Sequence, residues 1–174
     1  LFTTAAANAR CSHAVWVTGE GFQRVANDTQ PPSAWGELPL GGARSFEEAH
    51  GLLPPRLRRQ GIRIVISDLF WPGDPLPTLR KLTEGAAAAT LVQLLAPSDL
   101  EPPKPGNVQL EDSETGETLS LYIDTTIQEQ YRKTLQRLQQ SWDHAAHQTG
   151  AELVTLIADN LETSLRSLEE CRTL

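Results

Sequence analysis

The sequence contains no methionine and only two cysteines among its 174 residues. Because it lacks an initiator methionine of its own, we expect the chain to be a piece of a longer protein. Cys11 and Cys171 lie far apart in the sequence, which excludes the short spacings of a zinc ribbon or a CxxC redox centre. Free structural thiols are the default in a reducing compartment, so we expect a cytoplasmic protein.

Positive charge and long apolar runs are also scarce. The chain has 15 Lys and Arg residues against 22 Asp and Glu, a net charge of −7. This balance argues against the basic surface that nucleic acid or anionic lipid requires, so we expect soluble partners instead. No apolar run approaches the length of a membrane span, and the first residues lack the pattern of a secretory signal. We therefore expect no membrane segment in this chain.

Apolar residues make up 39% of the chain, enough for one domain with a substantial core over residues 1–174. Periodicity predicts helices that alternate with strands, which indicates an α/β layer fold with a mainly parallel sheet. The predicted helices are near residues 1–12, 45–50, 75–82, 124–148 and 160–174. The predicted strands are 62–70, 89–95 and 151–157, with antiparallel hairpins over 13–25 and 108–123.

Several helix and turn boundaries carry their own signals. Ser45 precedes a short helix, and Glu48 three residues later completes a capping-box pattern. Asp124 can cap the start of the long helix, and Gly150 can close it. Gly116 can supply the positive φ that the turn of the second hairpin needs.

The most informative segment is the apolar run from Gly61 to Phe70, which contains an aspartate at its end. Its β-branched residues favour a strand buried on both faces of a parallel sheet. Asp68 then lies at the carboxyl end of that strand, where open α/β sheets bind ligands. The alternative is that Asp68 only caps the following turn, because aspartate is favoured there without any functional role.

A series of motifs in this order resembles the carboxyl-terminal portion of the domain of unknown function 58 family. The series is Ile64-Val-Ile-Ser-Asp-Leu-Phe70, then Glu111-Asp-Ser-Glu-Thr-Gly-Glu117, a helix with Tyr131, and Gly150 ahead of a short strand. That family looks like a divergent von Willebrand factor type A domain. The resemblance implies a Rossmann-like three-layer sandwich around a mainly parallel central sheet, with an added antiparallel hairpin and its first strand before Leu1.

In von Willebrand A domains a divalent cation sits at the carboxyl edge of the sheet. The resemblance implies Mg²⁺ there, with Asp68 as the aspartate of the third metal-binding loop. The turn over 41–45 resembles the second loop, and Ser45 is its nearest hydroxyl. The first loop, Asp-x-Ser-x-Ser, has no counterpart in this sequence, and Mg²⁺ prefers octahedral oxygen coordination. Asp68 and Ser45 alone are therefore expected to bind Mg²⁺ weakly, as a degenerate adhesion site.

The sequence and the resemblance together predict a non-catalytic protein-interaction domain. Members of the family are often linked to MoxR-type AAA+ ATPases, which implies such an ATPase as a partner in protein assembly or maturation. The alternative is a metal-dependent hydrolase or phosphotransferase that uses Asp68 and nearby acids. No Gly-x-Ser-x-Gly elbow or phosphate-binding loop occurs in the sequence.

Two further groups of polar residues allow a functional and a structural interpretation. His144 and His147 are three residues apart on the long helix and could ligate zinc with a third group. A solvated helix surface is the preferred interpretation, because histidine near a helix C-terminus also complements the helix dipole. The acidic residues of the second hairpin could attract a cation or a basic partner surface, or form a solvated tip. These are Glu111, Asp112, Glu114 and Glu117.

Overall fold

The computed structural model describes residues 1–38, 44–71, 73–111, 116–159, 166 and 168. Helices and strands alternate along these residues in a mixed α/β arrangement, as the periodicity predicts. In chain order they are α1 (Phe2–Asn8), β1 (Trp16–Thr18), β2 (Phe22–Arg24), α2 (Phe46–Leu52), β3 (Ile62–Ser67), α3 (Pro75–Thr83), β4 (Ala88–Leu95), α4 (Pro97–Leu100), β5 (Gly106–Glu111), β6 (Thr118–Ile123), α5 (Thr125–Thr149) and β7 (Glu152–Ile157).

The chain divides into two compact units. Unit 1 contains the described residues between Leu1 and Arg56, and unit 2 contains the described residues between 57 and 174. That the whole chain behaves as one domain stays a prediction. Within the described residues, no helix combines the length and the apolar character that crossing a membrane requires.

Unit 1 is built on the first predicted hairpin. Strands β1 and β2 pair antiparallel, with Trp16 opposite Arg24. Phe22 from β2 packs edge-on against Phe46 from α2, with ring centroids 5.1 Å apart. Helix α2 begins at the predicted capping box, in which the Ser45 hydroxyl accepts from the Glu48 N–H and the Glu48 carboxylate accepts from the Ser45 N–H. The hydrogen bonds that the Glu48 carboxylate accepts from the Ser45 N–H and the Ser45 hydroxyl lower the pKa of the Glu48 carboxyl.

Unit 2 contains a three-strand parallel sheet in the order β3-β4-β7 and a separate antiparallel pair, β5-β6. The register places Val65 beside Leu91 and Leu91 beside Leu153. Strand β4 lies between its two neighbours, and most of its side chains are buried. The fold class is therefore confirmed at the level of a mixed α/β fold with a parallel sheet and antiparallel hairpins.

One prediction about this sheet is wrong for the described residues. Strand β3 was expected to be interior and buried on both faces, yet it pairs with β4 alone. Ile62 and Ile66 are 61% and 57% exposed. The β-branched composition correctly indicates a strand, but the order of strands depends on long-range pairing that a local pattern does not contain. The buried central strand is β4.

Helices α3 and α5 pack against each other in unit 2. Helix α5 begins where the Asp124 carboxylate accepts from the Ile127 N–H at 2.8 Å, and it ends at Gly150, whose φ is +71°. Both caps confirm the sequence signals. Apolar residues at spacings of three and four along α5 predict one inward helix face, and the structure buries or half-buries them. They are Ile127, Tyr131, Leu135, Leu138, Trp142 and Ala146.

The proline-rich segment after β4 contains one feature that the sequence pattern did not indicate, the short helix α4. The segment is tied to α5 by the Tyr131 hydroxyl, which donates to the Asp99 carbonyl at 2.9 Å, and by the Gln128 amide, which donates to the Pro103 carbonyl at 2.8 Å. Partial burial raises the pKa of Tyr131. Most of the predicted final helix lies outside the described residues, although Leu168 is buried as expected.

Candidate functional site

The carboxyl ends of the three parallel strands form one edge of the sheet, and a row of polar residues crosses it. Ser67 on β3 lies beside Gln93 on β4, and Gln93 lies beside Thr155 on β7. Because parallel strands end at the same edge, these residues and the following Asp68 share the place where α/β sheets usually carry ligands. We refer to Ser67, Asp68, Gln93 and Thr155 as the polar edge.

Asp68 is exposed directly after β3. Its carboxylate Oδ1 accepts hydrogen bonds from the Ser67 hydroxyl and from the Phe70 N–H, both at 3.2 Å. The second of these bonds is the turn-capping contact that the sequence allowed as a structural explanation. Both bonds are made to Oδ1, and the side chain faces solvent. These turn contacts therefore leave part of the Asp68 carboxylate accessible to a partner.

The backbone that carries Asp68 is held at two consecutive carbonyl groups. The Asp68 carbonyl accepts from the Gln93 side-chain amide at 3.0 Å, and the Leu69 carbonyl accepts from the Trp142 indole N–H at 2.9 Å. Leu69 is fully buried and has a φ of +59°, a left-handed conformation that is unfavourable for a side chain other than glycine. The surrounding contacts compensate for this strain, and they fix the direction in which the chain leaves β3.

Gln93 connects the polar edge to the last strand. It is only 1% exposed, and its amide oxygen accepts from the Thr155 hydroxyl at 3.0 Å while its amide nitrogen donates to Asp68. A buried amide of this kind is stable only when both ends are hydrogen-bonded. This role of Gln93 was not predicted, although a glutamine within an otherwise apolar strand is a signal that could have indicated it.

Two tryptophans support the same turn. The rings of Trp71 and Trp142 pack edge-on with centroids 5.3 Å apart. Trp142 is buried and Trp71 is half-buried. Trp71 follows Asp68 closely enough in the sequence to flank a binding edge, and this role stays a prediction. The Trp142 indole N–H also holds the Leu69 carbonyl.

Ser45, the second predicted metal ligand, lies in unit 1, whereas Asp68 lies in unit 2. Its hydroxyl takes part in the capping box of α2, where it also donates to the Glu48 carboxylate at 3.0 Å. The glycines at 41 and 42 of the predicted second loop lie outside the described residues. Joint coordination of a metal by Asp68 and Ser45 stays a prediction.

The donor set around Asp68 fits a divalent cation poorly. Mg²⁺ prefers six oxygen ligands at octahedral positions. Asp68 contributes one carboxylate, and the nearest hydroxyl, on Ser67, is hydrogen-bonded to it. Within the part of the chain that the structure describes, no three His, Cys, Asp or Glu side chains gather as a metal-binding group. The chemistry that the polar edge supports directly is pairing with a donor or cationic group on a partner.

The other candidate residues lie elsewhere. His144 and His147 are exposed on α5, and a ring nitrogen of His144 is 2.7 Å from the Gln148 amide one turn further on. Cys11 is exposed in unit 1, and Cys171 lies outside the described residues. Of the acidic hairpin residues, Glu111 and Glu117 are exposed, while Asp112 and Glu114 lie outside the described residues.

Comparison with known proteins gives a family but no function. The family described as "Protein of unknown function DUF58" matches residues 23–145. An uncharacterized protein of Mycobacterium avium is 30% identical over 105 residues, which cover 59% of this chain and 60% of that relative. The match therefore spans less than two thirds of the relative's length. No solved structure matches the chain significantly.

Proposed function

We propose that this chain, which belongs to the DUF58 family, is a non-catalytic protein-interaction domain of von Willebrand A type that acts in the cytoplasm. The observation that carries the proposal is the exposed Asp68 carboxylate on a backbone fixed by Gln93 and Trp142. A rigid support of this kind lowers the entropy lost when a partner binds. The polar edge is then the contact surface.

The topology of unit 2 supports the fold part of this proposal. Three parallel strands follow one another in the order β3-β4-β7, and α3 and α5 are the long connections between them. A von Willebrand A domain would place a further strand beside β3 and a covering layer over its exposed face. The exposed Ile62 and Ile66 are suited to such a neighbour.

The proposed contact does not depend on a metal. The described donors around Asp68 are too few for Mg²⁺, and the Ser45 hydroxyl already caps α2. The adhesion site is therefore proposed as a degenerate one, in which the Asp68 carboxylate accepts hydrogen bonds from the partner directly. A charged acceptor of this kind forms stronger hydrogen bonds than a neutral one.

The partner that we propose is a MoxR-type AAA+ ATPase, with which the chain would assist the assembly or maturation of other proteins. This follows from the resemblance of the strand, hairpin and helix motifs to the family. The chain has an acidic balance and an exposed carboxylate at its polar edge. We therefore expect the facing surface of the ATPase to present arginine, lysine or backbone N–H groups.

Substitution of Asp68 tests this proposal. The purified chain would be immobilised, and its binding to the purified MoxR-type ATPase of the same organism would be measured by biolayer interferometry. We expect Asp68→Ala to weaken binding by roughly tenfold or more, because truncating a charged hydrogen-bonding partner commonly costs over 1 kcal/mol. Its melting temperature should change little, since the lost contacts are two exposed hydrogen bonds of a turn.

Asp143→Ala is the matched control, because Asp143 is an exposed aspartate on α5. It should bind the ATPase like the wild-type chain. Equal affinities of Asp68→Ala and wild type would exclude the polar edge as the contact, and absence of wild-type binding would exclude this partner. Hydrolase or phosphotransferase activity that disappears in Asp68→Ala would favour the enzymatic alternative instead.

A further inference from the structure

The hairpin β5-β6 has one apolar and one polar face. Opposite residues of an antiparallel pair point to the same side, and the register places Val108 opposite Leu121 and Leu110 opposite Leu119. These four residues form one surface, which we call the hairpin face. The other side carries mostly polar residues, including Asn107, Gln109, Ser120 and Tyr122.

The hairpin face becomes more exposed with distance from the body of unit 2. Ile123, at the base of the same side, is 2% exposed, and Val108 and Leu121 are half-buried. Leu110 and Leu119 are 40% and 57% exposed, although they lie directly opposite each other. Among the described residues, β5 and β6 pair only with each other. A two-stranded hairpin gains stability when such a face is covered.

The charge of the sequence segment that contains this hairpin indicates the chemistry of what covers the hairpin face. Between Lys104 and Arg132 the sequence contains no lysine, arginine or histidine. Six acidic residues occur in the same interval: Glu111, Asp112, Glu114, Glu117, Asp124 and Glu129. A second copy of the chain would bring like charges together at a net charge of −7 per copy. Charge complementarity therefore favours a basic occupant over a homodimer.

We propose that the hairpin face binds a basic amphipathic helix of a protein partner. Aliphatic side chains of the helix would cover Leu110 and Leu119, and lysines or arginines along its border would face the exposed Glu117, which directly precedes β6. A helix suits this surface because its apolar stripe covers a sheet face, whereas an added strand would extend only the edge. The interaction is independent of Asp68 and of the partner proposed for the polar edge.

A designed peptide provides the probe. It would be about five helical turns long, with leucine at i, i+3, i+4 and i+7 positions, lysine elsewhere and a fluorescent label. We expect the wild-type chain to bind it in an anisotropy titration, and Leu110→Ser and Leu119→Ser each to weaken binding about tenfold, as for central apolar contacts. Leu52→Ser is the matched control, because Leu52 is 58% exposed on α2 in unit 1. It should bind like the wild type.

The charge requirement is tested separately. The variant Glu117→Gln should bind the leucine-lysine peptide more weakly and with less dependence on salt concentration. A peptide with glutamate in place of each lysine should not bind. Equal binding of the two peptides, or unchanged affinity in both leucine variants, would contradict the proposal.

Hydrogen–deuterium exchange gives a measurement that does not depend on variants folding correctly. The lysine peptide should slow exchange in residues 106–111 and 118–123 and leave α2 unaffected. Absence of binding or protection in the wild-type chain would overturn the inference. The inference would also be overturned if light scattering showed dimers of the wild-type chain that disappear in Leu119→Ser. It would likewise be overturned if the wild-type chain co-sedimented with phosphatidylcholine or phosphatidylglycerol vesicles in preference to binding the peptide. Asp68→Ala should bind the peptide normally, which separates this test from that of the polar edge.

Discussion

Asp28 illustrates how a single buried charge organises unit 1. It is 4% exposed and accepts two hydrogen bonds from the Arg24 guanidinium, at 2.8 and 3.1 Å, and one from the Val15 N–H at 3.0 Å. Its backbone carbonyl lies 2.8 Å from a ring nitrogen of His13. One carboxylate thus ties the loop after β2 to the chain entering β1.

The same contacts predict how the stability of unit 1 depends on pH. The hydrogen bonds from Arg24, and secondarily from the Val15 N–H, hold the pKa of the Asp28 carboxyl below its usual value. A pKa that is lower in the folded state means that the unfolded chain binds the proton more tightly. The stabilisation that ionised Asp28 gives the folded state is therefore complete above the ordinary aspartate pKa. It is lost as the pH falls through the lowered pKa of Asp28 in the folded state.

Asp28→Asn should remove this dependence and cost about 1 kcal/mol at neutral pH, a figure reduced because the Arg24 side chain is largely solvated. Chemical unfolding of both proteins at neutral and at acidic pH checks the expectation, with Asp143→Asn as an exposed control. The difference between wild type and Asp28→Asn should shrink on acidification. A constant difference would show that the charge of Asp28 is not responsible.

At the candidate site, sequence reasoning located the strand end but not its support. Asp68 was found because an acid at the end of an apolar strand is a local pattern. Gln93 and Trp142 hold the carbonyls of residues 68 and 69 from distances of 25 and 73 positions along the chain. Contacts of this kind arise from packing between elements and leave only weak local signals.

At the scale of elements, helix boundaries were predicted best where a single residue determines the cap, either by a side-chain hydrogen bond to the backbone or by a left-handed glycine. The capping box of Ser45, the cap of Asp124 and the left-handed Gly150 all occur as expected. Helix α3 is capped by Asp74, which accepts from the Leu76 N–H, and this cap was not among the predicted boundary signals. Within the described ranges β3 is not buried on both faces as predicted, because strand order depends on pairing between distant segments.

Two glycines provide matched tests of these boundaries. Gly150 has a φ of +71° at the end of α5, so Gly150→Ala should lower the free energy of unfolding by about 1 kcal/mol. Gly51 lies within α2, where an added Cβ meets nothing within 4 Å. Gly51→Ala should therefore stabilise that helix by about 0.5–1 kcal/mol. Thermal unfolding followed by circular dichroism measures both effects.

The signs of the two changes distinguish backbone conformation from a general effect of added methyl groups. If Gly150→Ala were neutral, the left-handed cap would not contribute to the end of α5. If both variants were destabilised equally, conformation would not explain either result.

At the scale of the whole molecule, the two units differ in how much apolar surface they bury. Among its described residues, unit 1 buries the apolar side chains of Phe22, Val25, Phe46 and Ala49. Unit 2 buries a larger set, which includes Leu69, Leu79, Leu91, Val92, Leu95, Ile123 and Trp142. Because stability rises with the apolar surface removed from water, unit 1 is expected to be the less stable of the two.

The distribution of tryptophans allows this expectation to be measured. Trp16 and Trp35 lie in unit 1, and Trp71 and Trp142 lie in unit 2. In a variant with Trp16→Phe and Trp35→Phe, tryptophan fluorescence reports on unit 2 alone. On heating, the fluorescence transition of this variant should occur at a higher temperature than the first transition of the wild type, which is expected to be the unfolding of unit 1. Circular dichroism of both proteins would show that the substitutions themselves do not shift unfolding. Coincident transitions by every probe would instead support the single cooperative domain that the sequence predicts.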